Sequence, residues 1–290
     1  MQLTDIGTVK EIMEKYDLNF KKKFGQNFLI NKGVPARIAE ECTDGDFDCA
    51  ILEIGPGIGT LTYELAKRYK KVVAVEIDTT LLPALEYTLG EFDNVKIISG
   101  DIMKLDVNEL CREEFEKEGL KYSVCANLPY YITTPVLMHL LESGADFDYI
   151  TVMIQKEVVE RLTSNAGESE YGAISASVSY YGEVKKLFSV PAGCFMPAPK
   201  VDSAVMRIKL YDTPPVDTLD EKIFFRVIRG AFAQRRKTLA NSLGSEFGEF
   251  DKAKLMEIIE KAGFLPTVRG ETLSIKDFAK IADIIVEEKK

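Results

Sequence analysis

The chain has 290 residues, of which 46% are hydrophobic and 29% charged, and it carries a net charge of −9 at pH 7. This length and balance describe a soluble globular protein with one large or two unequal domains. No apolar run approaches the ~18 residues that a membrane span needs, and the start, Met1-Gln2-Leu3-Thr4-Asp5, lacks the basic and apolar regions of a signal peptide. A cytoplasmic protein without a membrane partner is expected. Five cysteines, at 42, 49, 111, 125 and 194, form no Cys-x-x-Cys pair, and His139 is the single histidine. No metal site is expected, and the thiols fit a reducing compartment.

In chain order, residues 8–16 and 33–43 read as short helices, with Gly25-Gln26-Asn27-Phe28-Leu29 between them as an ordered loop. Apolar runs of strand length then alternate with helical patterns. Cys49–Ile54, Val72–Ile77, Val95–Ser99, Tyr122–Ala126 and Tyr149–Ile154 are the strands, and helical patterns over 60–70, 79–91, 133–142 and 155–164 follow four of them. That alternation predicts a mostly parallel sheet with helices on both faces. A further helix near 172–181 leads to Lys185–Val190 and Ser203–Leu210, joined by the turn-rich stretch Pro191 to Lys200, which predicts an antiparallel pair at the sheet edge. Tyr211-Asp212-Thr213-Pro214-Pro215 breaks the pattern and marks a domain boundary. Helices follow near 219–233, 236–243, 251–261 and 274–287, with Thr218-x-x-Glu221 and Ser274-x-x-Asp277 as capping boxes. An α/β domain over 1–210 and a small all-α domain over 216–290 are expected.

A net negative charge argues, by itself, against a nucleic-acid partner. The charges are unevenly spread, however. Lys21, Lys22, Lys23, Lys32 and Arg37 lie in a stretch without an acid, and so do Lys222, Arg226, Arg229, Arg235, Arg236 and Lys237. Two basic blocks on an acidic chain form one phosphate-facing surface if the fold brings them together; otherwise they are two solvated helix faces.

Chemistry gathers at strand ends. Glu53-Ile54-Gly55-Pro56-Gly57-Ile58-Gly59-Thr60 leaves the first sheet strand and enters a helix, with glycines that permit close backbone approach to a ligand. The spacing is Gly-x-Gly-x-Gly, and an acid precedes it. A pyrophosphate would be poorly served there, whereas a phosphate-free cofactor such as S-adenosylmethionine loses nothing. Glu76 ends the second strand, where an acid accepts ribose hydroxyls. Asp101 follows the third strand and can accept from an adenine amino group. Asn127-Leu128-Pro129-Tyr130 follows the fourth, with Thr134 and Pro135 as N-cap and first position of the next helix. A side-chain amide offers the donors and acceptor that hold an exocyclic amino group, and the tyrosine offers a face for a flat base. Taken alone, each is an ordinary turn residue or strand-end carboxylate; together they describe one site.

Phe24-Gly25-Gln26-Asn27-Phe28-Leu29, Glu53-x-Gly55-x-Gly57-x-Gly59, Glu76, Asp101, Asn127-Leu128-Pro129-Tyr130 and Phe195-x-Pro197-x-Pro199-Lys200-Val201-Asp202-Ser203 occur in that order. As a set they resemble the small-subunit ribosomal RNA adenine N6,N6-dimethyltransferases of the KsgA type, over residues 20 to 285. Arg235-Arg236-Lys237-Thr238-Leu239 and Arg269-Gly270-Glu271-Thr272-Leu273-Ser274 extend the likeness through the helical part. Asn31 departs from the family, which usually has aspartate there.

The resemblance implies a Rossmann-like class I methyltransferase sheet of seven strands, mostly parallel with the last pair antiparallel, and a helical RNA-binding domain. It implies that Gln26, Asn27, Leu29, Gly55, Gly57, Glu76, Ile77, Asp101, Ile102 and Asn127 bind S-adenosylmethionine. Leu128, Pro129, Tyr130 and Phe195 would complete the catalytic site with Asn127, holding a target adenine between the two rings. Lys21, Lys22, Lys23, Arg226, Arg229, Arg235, Arg236 and Lys237 would contact RNA. The implied partner is small-subunit rRNA or a precursor of that subunit, during ribosome biogenesis, with a monomer expected. Three alternatives stay open here: a large-subunit enzyme of the macrolide-resistance type, a mainly non-catalytic assembly factor, and a small-molecule methyltransferase.

Overall fold

A computed structural model describes residues 1–19 and 26–289. Lys21, Lys22 and Lys23, with Phe24 and Gly25 of the first motif, lie outside the described residues. The chain divides into two compact units, Met1–Val159 with Lys185–Leu210, and Glu160–Val184 with Tyr211–Lys290.

The first unit holds the sheet. Helix α1 (Ile6–Lys15) starts on Asp5, whose side chain accepts from Thr8 N, and buries Val9 and Ile12. Strand β1 (Phe28–Leu29) and helix α2 (Gly33–Glu41) follow. The alternation expected from the sequence then appears as β2 (Ala50–Ile54), α3 (Thr60–Ala66), β3 (Lys71–Glu76), α4 (Leu82–Leu89), β4 (Val95–Ser99), α5 (Val107–Glu114), β5 (Tyr122–Asn127), α6 (Thr133–Leu141), β6 (Phe147–Gln155) and α7 (Lys156–Leu162). The chain goes on through α8 (Ala173–Tyr181), β7 (Gly182–Val190), β8 (Phe195–Met196) and β9 (Ser203–Leu210). The seven-stranded sheet has the order β4-β3-β2-β5-β6-β9-β7. Strands β2 to β6 are parallel, and β9 runs antiparallel to β6. Parallel strands covered on both faces read as unbroken apolar runs, and β2 is buried at all five positions.

The strand pair expected at the sheet edge is there, with β9 next to β6 and β7 outermost. Three local details differ from expectation. Helix α5 falls in a stretch whose run of acids hides its period; Asp106 caps it by accepting from Glu109 N, and it buries Val107 and Cys111. Helix α6 begins at Thr133 rather than after a Thr134 cap, with the Thr133 hydroxyl bonded to the Pro129 carbonyl. Two-residue strands β1 and β8 form a separate antiparallel ladder inside segments that read as loop.

In the second unit, α9 (Glu221–Ala233), α10 (Leu239–Leu243), α11 (Lys252–Lys261) and α12 (Ile275–Glu288) share one core with α8. Phe224, Phe247 and Phe278 are fully buried in it. The expected Thr218 cap is replaced by Asp220, which accepts from Ile223 N, while the Thr218 hydroxyl bonds to Asp283 Oδ1. The carboxylate two residues nearer takes the helix N-terminus because it is the stronger acceptor. The second box is present. Ser274 accepts from Asp277 N, and Asp277 Oδ2 accepts from Ser274 N at 3.0 Å. Ser274→Ala should destabilise this unit by about 1 kcal/mol, read as a lower urea midpoint at unchanged slope.

Candidate active site

Sheet register builds the site. Ile54 of β2 stands opposite both Val75 of β3 and Ala126 of β5, and Glu76 of β3 stands opposite Ser99 of β4. Four carboxyl ends are therefore level, and the residues that leave them, Gly55, Glu76, Asp101 and Asn127, line one cleft. This is the edge where open α/β sheets bind ligands.

The turn after β2 needs glycine. Gly55 and Gly57 have φ of 68° and 64°, in the left-handed region that side chains disfavour. A Cβ on Gly57 would also lie 3.2 Å from the Phe28 ring, whereas at Gly55 nothing lies within 4 Å, so the backbone is open to a ligand. Gly57 N donates to Glu76 Oε2 at 3.1 Å, and Asp78 N donates to Glu76 Oε1 at 2.8 Å. Burial raises the Glu76 pKa, and these N–H donors offset the shift. Each Glu76 oxygen keeps a second lone pair, so the carboxylate can accept two ribose hydroxyls without losing its backbone bonds. Asp101 Oδ1 accepts from Met103 N at 3.1 Å, which holds its second oxygen at the strand end. Gln26 reaches the same wall through its amide, which donates to Asp78 Oδ2 at 2.9 Å.

Glu53 is the least comfortable group. It is 1% exposed, lines the cleft, and its Oε2 has no hydrogen-bond partner among the described residues. Burial pushes its pKa up to about 8; the nearby Thr62 hydroxyl opposes this and the charge of Glu76 adds to it. A buried carboxyl with an unused oxygen suits a cationic ligand better than an anionic one. Glycines, a ribose acceptor and this carboxyl together fit S-adenosylmethionine, which carries positive charge and no phosphate.

On the other side, the β1–β8 ladder sets Leu29 opposite Phe195 and Phe28 opposite Met196. This brings Asn27 and Leu29 to the cleft beside Phe195, although 166 positions separate Leu29 from Phe195 in the chain. Phe195 is 3% exposed and packs in the core with Leu29, Met153 and Val205. Tyr130 is half-buried, and its hydroxyl shares a 2.7 Å hydrogen bond with that of Ser203. Leu128 N donates to the Met153 carbonyl at 3.2 Å, which fixes the peptide after β5. Among the described residues, neither the Asn127 side-chain amide nor the Leu128 carbonyl has a hydrogen-bond partner. Two acceptors thus sit unpaired at the cleft.

Every expected cofactor and catalytic residue lines this cleft: Gln26, Asn27, Leu29, Gly55, Gly57, Glu76, Ile77, Asp101, Ile102, Asn127, Leu128, Pro129, Tyr130 and Phe195. Sequence reasoning gave no site role to Phe28, read as loop, or to Thr60, Leu61 and Leu81, read as helix, although all four line the cleft. It also gave Glu53 no role beyond its place in the motif, because an unsatisfied oxygen leaves no pattern in a sequence.

The expected RNA contacts separate in the second unit. Arg226 pairs with Glu249 at 3.1 Å, donates to the Glu246 carbonyl, and lies 4.2 Å over the Phe247 ring. Arg235 pairs with Glu271 at 3.2 Å and donates to the Ser169 carbonyl. Arg229, Arg236 and Lys237 are exposed and make no ion pair among the described residues.

Fold and cleft define a class I S-adenosylmethionine-dependent methyltransferase. The sequence model of the ribosomal RNA adenine dimethylases matches residues 17–287, and the chain belongs to that family. It is 48% identical, over a 292-residue alignment covering 99% of both chains, to proteins named ribosomal RNA small subunit methyltransferase A from Bacillus cytotoxicus and Bacillus cereus. Among solved structures it resembles a dimethyladenosine transferase from Plasmodium falciparum, with a TM-score of 0.73 and 24% identity over 87% of this chain and 95% of that one. It also resembles the 23S rRNA methyltransferase ErmE, with a TM-score of 0.67 and 23% identity over 90% and 100%. These two show the shared fold.

Glu53 makes the ligand-free protein pH-sensitive. Its folded pKa of about 8 lies above the usual 4.5. Its contribution to stability is therefore fully present below the lower value and lost as pH rises through the higher one. Between about pH 6 and pH 9 the wild type should lose roughly 5 °C of Tm relative to Glu53→Gln. Parallel Tm curves for the two proteins would refute the buried, unsatisfied carboxyl.

Proposed function

We propose that the protein uses S-adenosylmethionine to dimethylate the N6 amino groups of two adjacent adenosines near the 3′ end of small-subunit rRNA, in the cytoplasm, during ribosome biogenesis. The observation that carries this reading is the pair of unpaired acceptors at the end of β5, the Asn127 amide oxygen and the Leu128 carbonyl. The small-subunit assignment is supported by the 48% identical relatives, which bear that name.

The N6 lone pair of adenine is delocalised into the ring and is a poor nucleophile. Asn127 and Leu128 accept its two N–H groups and draw the nitrogen toward a tetrahedral shape, with the lone pair aimed into the cleft. S-adenosylmethionine supplies the electrophilic methyl group when bound. Positioning and fixed dipoles carry the rate, and no strong general base is required before transfer. Tyr130 and Phe195 hold the base by its faces, where stacking is worth roughly 1–3 kcal/mol and offsets much of the cost of extruding it. After one transfer a single N–H remains, so one acceptor holds the nitrogen while the pocket takes the first methyl group.

The helical unit binds RNA in this reading, through Arg229, Arg236 and Lys237, which are exposed and make no ion pair among the described residues. Arg226 and Arg235 serve their own unit instead.

Incubating unmethylated small subunits with cofactor should yield two dimethyladenosines near the 3′ end by mass spectrometry. Methylation confined to large-subunit rRNA, or efficient transfer to free adenosine, would overturn the assignment. Asn127→Ala should lower kcat by about 10²–10³ without unfolding the protein, since it removes a preorganised group at the reacting nitrogen. Replacing Arg229, Arg236 and Lys237 by Ala should flatten the slope of log affinity against log salt by roughly 2. An unchanged slope would make these three a solvated surface.

A further inference from the structure

Asp202 and Ser203 end the motif that begins at Phe195, and each binds a segment that carries one of the two rings. Ser203 opens β9 opposite Gln155 and is fully buried. Its hydroxyl meets the Tyr130 hydroxyl at 2.7 Å. No other hydrogen bond engages either hydroxyl among the described residues. Asp202 faces the other segment. Its Oδ1 accepts from Ala192 N at 2.9 Å, at the start of the turn Ala192–Cys194 that delivers Phe195. The Asp202 carbonyl accepts from Lys156 N at 3.0 Å, tying this peptide to the end of β6.

We infer that Asp202 and Ser203 are positioning residues that set the gap between Tyr130 and Phe195, through Ser203 to the Tyr130 hydroxyl and through Asp202 to the turn before Phe195. This rests on the reading that the two rings grip the target adenine. Neighbouring residues on one strand end hold both sides of the gap, so it is defined by a short, rigid path. A tyrosine ring without its hydroxyl bond keeps its stacking face but loses its fixed tilt. The first methyl transfer tolerates some looseness, because two acceptors also hold the nitrogen. The second has one N–H to hold and depends more on the rings. Loosening the gap should therefore shift the product toward monomethyladenosine.

The test compares Ser203→Ala, Tyr130→Phe and the double variant with wild type on unmethylated small subunits. Measured quantities are kcat, KM, cofactor binding, Tm and the ratio of mono- to dimethyladenosine. Removing one partly buried hydrogen bond should lower kcat/KM by on the order of tenfold. Monomethyl product should accumulate, cofactor affinity should stay within about twofold, and the double variant should be no worse than the worse single one. Asp202→Ala should show the same product shift, whereas Asp202→Asn, which keeps an acceptor for Ala192 N, should restore the wild-type ratio. Tyr130→Phe reports the same bond from the cleft side, so a folding defect in Ser203→Ala does not decide the matter. Additive losses, or reduced activity with an unchanged product ratio, would overturn the inference. Tyr130→Ala separates it from the underlying reading. Normal transfer by that variant would remove the stacking role itself, while a damaged Tyr130→Ala beside an undisturbed Ser203→Ala and Tyr130→Phe would remove only the positioning role.

Discussion

The parallel register of β4, β3, β2 and β5 is the constraint on which the site depends. Because Ile54 faces both Val75 and Ala126, and Glu76 faces Ser99, four strand ends are level and four short turns open on one cleft. A shift of one residue in any of these pairings would turn the outgoing side chains to the opposite face of the sheet. Strands β2, β3 and β5, buried along almost their whole length, resist such a slip, since it would trade well-packed for poorly packed contacts.

Within that frame the two buried carboxyl groups differ in how they are satisfied. Glu76 receives two backbone N–H bonds, which oppose the upward pull of burial on its pKa and leave it lone pairs for further hydrogen bonds. Glu53, one strand away, is buried more completely and leaves an oxygen unpaired, so the ligand-free fold favours its protonated form. Unsatisfied buried groups are costly, and proteins retain them chiefly where a ligand or reaction uses them. At the end of β5, the Asn127 amide and the Leu128 carbonyl also lack hydrogen-bond partners among the described residues.

Charge on the helical unit is divided in a comparable way. Arg226 covers the Phe247 ring and pairs with Glu249, and Arg235 spans to Glu271 and Ser169. Their guanidinium groups are committed to holding that unit together. Arg229, Arg236 and Lys237 come from the same basic stretch but project without such partners. One basic run in the sequence is therefore two populations in the fold, one ion-paired and one without ion pairs among the described residues.

Much of this was legible in the sequence, since strand-length apolar runs alternating with helical periods leave few arrangements besides a parallel sheet. The loop after the first sheet strand pointed to the cofactor, because Gly-x-Gly-x-Gly spacing behind an acid serves a phosphate-free ligand better than a pyrophosphate. Elements whose identity rests on distant partners were hidden. Strands β1 and β8 exist only as a pair formed across 166 positions, and α5 lies in a stretch where acids obscure its period. Asp220 displaced Thr218 as a cap because Asp283 offered the threonine hydroxyl another partner. The sequence by itself determined the fold class through its local pattern, and its motifs pointed, through the family they resemble, to the cofactor and to most of the residues that line the cleft. Only the tertiary structure decided that β9 lies inside the sheet, that Asp202 and Ser203 hold the two ring-bearing segments, and which arginines remain free. Those outcomes depend on which groups remain unpaired once the chain has closed on itself.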